Sequence, residues 1–318
     1  MSIFDQKVIK YEMKPLSSLE KVFPDETPVY RMECQMLSGL WGETVSFQVA
    51  YTGDFVMRER LDVRVVSELA EHVHVRTVEM VPVGRATNGI VDDNYLKTTS
   101  GLYPDLLKDL KDGKVIVYSR QWRSLWVDVD ITNEIPAGEY EIELQLIKEG
   151  EVVCSAKQKV TVIGTELPKL DIMHTEWMHA DCLADYYHVE VFSEEHWKLL
   201  ENYFQEYVKR DCNMMLTPLF TSPLDTAIGL ERTTCQLIDV EVKDGEYVFG
   251  FEKLKRWIDL CKKCGIEYFE MSHLFSQWGA KYAPKVVATV NGKKEKIFGW
   301  HTPAVGEYTK FLGSFLPQ

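Results

Sequence analysis

The apolar positions of this chain change period near its middle. From about residue 7 to residue 163 they recur every second residue. Val45, Phe47, Val49 and Tyr51 alternate with Thr44, Ser46 and Gln48, and Leu125, Val127, Val129 and Ile131 alternate with Asp128 and Asp130. Tyr140, Ile142, Leu144 and Leu146 do the same against Glu141, Glu143 and Gln145. A period of two with one polar face predicts antiparallel strands that are solvated on one side. Glu149 and Gly150 interrupt the last run and predict a hairpin into Val152–Val162. A series of such strands with turn signals between them predicts a β-sandwich over residues 1–164. The segment 84–121 breaks the alternation with Gly101, Tyr103, Pro104, Asp105 and a charged stretch from Lys108 to Lys114. It reads as a long insertion between strands, most simply a solvated surface loop.

Beyond a short linker at 164–168, strands alternate with helices over residues 165–318. Leu170–His174 reads as an apolar strand. Ser193 caps a helix whose stripe is Trp197, Leu200, Phe204 and Val208, with Glu194 and Glu195 in the first turn, where they suit the dipole. A second strand, Asn213–Leu216, precedes a helix with Phe251, Leu254, Trp257, Ile258 and Cys261 on one face and Gly265 at its end. A third strand starts at Ile266, and a third helix carries Tyr308, Phe311, Leu312 and Phe315. Three βα units joined in one direction predict a parallel sheet. The two long connections, 218–249 and 274–303, read as functional loops at the carboxyl ends of the strands. Closing a (β/α)8 barrel takes about 250 residues, so three strands cannot do it. The second half is therefore a small open sheet with its edges covered in another way, or a piece of a longer protein. The third helix barely finished at Gln318 favours the piece.

Composition narrows the function classes. A formal net charge of −13 argues against nucleic acid or an anionic membrane as partner. Neither a signal peptide nor an apolar run of membrane-spanning length is evident. The seven cysteines are odd in number and scattered, as expected for reduced thiols of a cytoplasmic protein. Cys261 and Cys264 form a C-x-x-C near a helix end, without a second pair at zinc spacing. No cofactor is expected.

Candidate chemistry gathers after the strands. The stretch 266–284, IEYFEMSHLFSQWGAKYAP, delivers Glu270, His273, Gln277 and Trp278 from the end of one strand. A carboxylate, an imidazole, a carboxamide and an indole suit a sugar pocket, with polar groups fixing hydroxyls and an aromatic face covering the ring. The same aromatics also suit a core. After the first strand, HTEWMHADCLADYY offers His174, Glu176, Trp177, His179, Asp181 and Asp185 as a polar substrate-binding rim, as structural hydrogen-bonding groups or as a metal site. The connection after the second strand adds Thr217, Thr221, Asp225 and an adjacent Glu231-Arg232 that reads as an ordinary surface pair. Glu176 and Glu270 are the two carboxylates that could face each other as a glycosidase pair.

The stretches TEWMHADCLADYY, NMMLTPLFTSPLDT, GLERTTCQL and YFEMSHLFSQWGAKYAPK resemble glycoside hydrolase family 123, whose members also carry the domain of unknown function 4091. The resemblance implies a β-sandwich followed by a (β/α)8 TIM-type barrel, with residues 165–318 forming its first three βα units. It implies retaining, substrate-assisted cleavage of terminal β-linked N-acetylgalactosamine, in which an Asp-Glu pair from a fourth barrel strand orients the acetamido group and supplies the acid and base. The one Asp-Glu dipeptide here, Asp25-Glu26, lies in the sandwich and cannot stand in for it. No catalytic residue is therefore carried over. Trp177, His179, Asp181, Glu270, His273, Gln277 and Trp278 are expected to bind the sugar, with no metal ligand among them. The expected partner is a glycan ending in an N-acetylhexosamine, and self-association is expected through an open barrel edge. Two other readings remain. One is a non-catalytic carbohydrate-binding or interaction protein, and the other is a metal-dependent hydrolase using His174, Glu176, His179 and Asp181.

Overall fold

The computed structural model describes residues 10–29, 36–55, 57–87, 89, 91, 93–169, 171–224, 226–227, 229–277 and 279–318. The chain divides into two compact units, Met1–Lys169 and Leu170–Gln318.

In the first unit the period-two pattern becomes ten strands: β1 (Lys10–Ser17), β2 (Met36–Trp41), β3 (Thr44–Asp54), β4 (Glu59–Val66), β5 (Val73–Val83), β6 (Gly101–Asp109), β7 (Lys114–Val117), β8 (Arg123–Asp130), β9 (Gly138–Lys148) and β10 (Glu151–Glu166). They form two five-stranded sheets, ordered β1-β3-β8-β5-β6 and β2-β10-β9-β4-β7. Phe47, Val49, Val127 and Val129 from the first sheet share one buried cluster with Ile142, Leu144, Val160 and Val162 from the second. Each such side chain contributes about 1.5–3 kcal/mol by leaving water, so the inward face of every alternating run holds the two sheets together. Glu149 and Gly150 form the two-residue turn of the β9–β10 hairpin, both at positive φ.

The segment 84–121 departs from expectation. Its second part is sandwich, with β6 pairing with β5 and β7 with β4. Both are edge strands. An edge tolerates proline and charge because one side of its ladder is unpaired, and Pro104 sits in β6 on that account. Residues that look like a loop by composition are thus edge strands.

The second unit runs α1 (Ala180–Tyr187), α2 (Glu194–Lys209), β11 (Met214–Thr217), β12 (Asp239–Lys243), β13 (Glu246–Gly250), α3 (Glu252–Cys264), β14 (Tyr268–Met271), β15 (Val286–Val290), β16 (Lys293–Phe298) and α4 (Glu307–Phe315). Helix α2 starts where its cap predicts, Ser193 Oγ accepting the His196 N–H at 3.2 Å. Helix α3 ends at Gly265. Trp197, Leu200, Phe204, Trp257 and Cys261 pack these helices onto Met215 of β11 and Ile266.

Three expectations are corrected here. The parallel sheet has two strands, β11 and β14, in register Leu216 to Glu270. The expected first strand does not form over residues 171–174, and Leu170 lies outside the described residues. The Asn213 side chain takes the hydrogen bonds a ladder would use: Nδ2 donates to Ile172 O at 2.8 Å and Oδ1 accepts from His174 N–H at 2.8 Å. Nor are the long connections plain loops. They fold into a four-stranded sheet ordered β13-β12-β15-β16, covered by Tyr308, Phe311, Leu312 and Phe315 of α4.

Candidate functional site

The parallel pair β11–β14 positions the candidate site. Glu270 is half-buried one residue before β14 ends. The chain then turns, with the Ser272 N–H bonded to Thr217 O at 2.9 Å and Ser272 itself buried. His273 emerges exposed. The segment preceding α1 returns Trp177 to this point. Its indole Nε1–H donates to Glu270 Oε2 at 2.9 Å, and its ring meets the His273 ring edge-on with centroids 5.7 Å apart. Trp177 is 45 % exposed, so the indole presents accessible apolar surface while its N–H orients the carboxylate.

The loop that follows is fixed at several points. The Tyr308 hydroxyl donates to Leu274 O at 2.6 Å, and Ser276 N–H donates to Tyr282 O at 2.8 Å. Tyr282 N–H returns to Ser276 Oγ at 3.1 Å. Gln277 sits half-buried inside this closed turn. Trp278 and Asp225 lie outside the described residues.

Asp181 is a correction. In place of a rim it occupies a buried ion pair, Arg232 Nε to Oδ2 at 2.8 Å and Nη2 to Oδ1 at 3.1 Å, with the two side chains 8 % and 11 % exposed. Burial opposes the charge on Arg232, but the hydrogen bonds and charge of Asp181 outweigh it and raise its pKa. Leaving either charge buried without the other costs about 3–5 kcal/mol, so the pair clamps α1 to the segment after residue 230. The Thr233 hydroxyl adds contacts to both Asp185 oxygens at 2.8 and 3.0 Å. Glu231 is no ordinary partner of Arg232. It bonds Lys296 and approaches Lys285 at 3.3 Å, and those cations hold its carboxyl below the usual range against some burial. Arg232 is thus the structural residue that sequence reasoning missed. The one signal was its position just ahead of the uncharged run Thr233–Ile238, four residues of which are buried.

His179 is the residue before α1, and its carbonyl accepts the Cys182 N–H at 3.1 Å. The four-residue metal constellation does not assemble. His174 faces Asp211 O at 3.2 Å and Glu176 at 3.5 Å, while Asp181 is committed to Arg232. Among the described residues no group of three or more His, Cys, Asp or Glu side chains is placed to hold a metal. Glu176 and Glu270 have separate partners, His174 and Trp177. Cys261 is buried in the core of α2 and α3, where burial pushes its thiol up, so the C-x-x-C is packing.

Residues 177–318 match the family model "Glycoside hydrolase 123, catalytic domain". No curated protein matches the chain. Among solved structures, the chain is similar to a family 123 glycoside hydrolase from Clostridium perfringens that was studied for glycolipid glycan hydrolysis. The TM-score is 0.69 and the identity 14%, over 97% of this chain and 55% of that one. The chain thus spans about half the length of that enzyme, and at this identity the likeness is one of fold. A β-glucosidase from Listeria innocua (TM-score 0.23, 10% identity, 50% of this chain and 17% of that one) also matches. So does AvmM, which catalyses a macrocyclization in alchivemycin A biosynthesis (0.26, 11%, 51% and 93%). Neither bears on the argument. Over residues 177–318 the chain is thus similar to the catalytic domain of glycoside hydrolase family 123.

Proposed function

We propose that the chain is part of a glycoside hydrolase acting on glycans that end in a β-linked N-acetylhexosamine, with N-acetylgalactosamine as the preferred terminal sugar. Residues 165–318 contribute the first βα units of a (β/α)8 barrel, and Trp177, Glu270, His273 and Gln277 form one wall of the sugar pocket. The observation that carries this reading is the Trp177–Glu270 hydrogen bond, with His273 against the same indole, beside the carboxyl ends of β11 and β14. A fixed carboxylate can accept two sugar hydroxyls, and an adjacent indole covers an apolar sugar face.

Within the cluster Glu270 is the one carboxylate, and Asp181 is withdrawn into its ion pair. One carboxylate does not suffice for hydrolysis by an acid and a base, so this chain by itself binds sugar without cleaving it. The test is calorimetric titration of N-acetylgalactosamine into the 318-residue chain, with a chromogenic N-acetylgalactosaminide assayed alongside. Saturable binding is expected, weakened about tenfold or more in Trp177→Ala and Glu270→Gln, with no turnover. Absence of binding at millimolar sugar overturns the pocket, and turnover overturns the division of labour.

A further inference from the structure

A second cleft, unrelated to the cluster just described, lies wholly inside the sandwich. It has a volume of about 390 Å³ and opens between the edge strands of the two sheets, β6 and β7. That is within the usual size range of small-molecule sites. Its floor includes Tyr51, 3 % exposed.

The charge around it runs against the rest of the molecule. The chain carries a net −13, yet five cations line this cleft against two carboxylates, Glu79 and Asp109. Several are neutralised locally. Arg60 pairs with Asp112 at 2.9 Å, Lys114 with Asp62 at 3.2 Å, and Asp109 with Arg76 at 3.5 Å. Lys108, Lys111 and Arg123 remain without an acidic partner among the described residues, facing one uncompensated carboxylate, Glu79. Arg123 is pre-set. Its guanidinium lies over the Tyr118 ring at 5.0 Å, and Nη2 bonds only the neutral Gln121 Oε1 at 3.2 Å. Its Nε is buried without an acceptor. A buried donor left unmade costs free energy, which marks this guanidinium as poorly satisfied by the protein alone. A planar fork held by an aromatic ring suits a two-oxygen acceptor, and two exposed lysines in the lining, Lys108 and Lys111, suit its remaining charge.

We infer that this cleft is an anion-selective saccharide site, taking a sugar that bears a carboxylate or sulfate group. The anion preference rests on Arg123, Lys108 and Lys111 alone; that the anion is carried by a sugar rests on the glycan reading above. The sandwich would then hold a charged sugar by itself.

The experiment is titration of the full chain, followed by NMR or calorimetry, with glucuronate, a glucose sulfate, glucose and inorganic sulfate. Both anionic sugars are expected to bind. Their affinity should fall about tenfold in the Lys108→Glu/Lys111→Glu double variant, both positions being exposed, and also between roughly 0.02 and 0.5 M salt. Glucose is expected not to bind at the cleft. Equal binding of glucose, or unchanged affinity in the double variant, overturns the inference. Inorganic sulfate binding as tightly as the sugar sulfate overturns its saccharide half. Loss of anionic-sugar binding in Trp177→Ala, with the lysine variant unaffected, assigns the ligand to the other site and likewise overturns it. Retained anionic-sugar binding alongside failure of N-acetylgalactosamine to bind would sink the terminal-sugar pocket while leaving this cleft standing.

Discussion

His196 shows how one residue ties local structure to the site. It is fully buried at the start of α2. Its Nδ1 accepts the Phe192 N–H at 2.9 Å, so Nε2 carries the proton and donates to Ala180 O at 2.9 Å, in the first turn of α1. Burial pushes its pKa down, only partly offset by the Ala180 carbonyl and the Asp181 charge. The unfolded chain takes up this proton near pH 6.5, before the folded one does. Its contribution to stability is therefore complete above that pH and is lost as pH falls towards the depressed folded value. Urea unfolding should show stability dropping from about pH 7 to 5, with a slope of up to ~1.4 kcal/mol per pH unit from this group. The slope should be smaller in His196→Gln, and identical slopes in the two proteins would remove His196 as its cause.

At the scale of elements, the same substitution should act with opposite signs in two places. Gly292 turns the β15–β16 hairpin at φ +79° with nothing near its missing Cβ, whereas Gly313 lies in α4, also with open space but with no positive φ. Gly292→Ala should cost about 1–2 kcal/mol through left-handed strain, and Gly313→Ala should add about 0.5–1 kcal/mol through helix propensity. Denaturation midpoints moving the same way would contradict this. Asp244-Gly245 and Asn291-Gly292 were visible turn signals, flanked by Val240, Val242, Tyr247 and Phe249 on one side and by Val286, Ala288 and Val290 on the other. The hairpins were obscured because β16 carries an exposed Lys293–Lys296 run, and a charged edge strand has the composition of a loop. The sandwich and the helices α2, α3 and α4 followed from period and caps. The gathering of Trp177, Glu270 and His273 followed in part, because two of the three leave one strand end. The Asp181–Arg232 pair did not follow, since no local rule links side chains 51 residues apart.

For the molecule as a whole, the free edge of β14 matters most. It pairs with β11 on one side, and among the described residues no strand covers the other. Tyr268 and Met271 are 43 % and 46 % exposed there. A bare apolar strand edge recruits another chain, so light scattering should give a mass above that of one chain at micromolar concentration, reduced by Met271→Lys. A monomer at every concentration would rule out the association. The second unit also has two hydrophobic cores that meet at Leu254. One is built from residues between Met178 and Phe269, the other from residues between Leu219 and Phe315. During synthesis the chain emerges from its N-terminus. Once Phe269 has left the ribosome every member of the first core is present, while α4, the cover of the second, has still to be made. The helical core behind the candidate sugar site can therefore form before the neighbouring sheet has its cover, and slowing translation between these two points would lengthen the life of that half-built state.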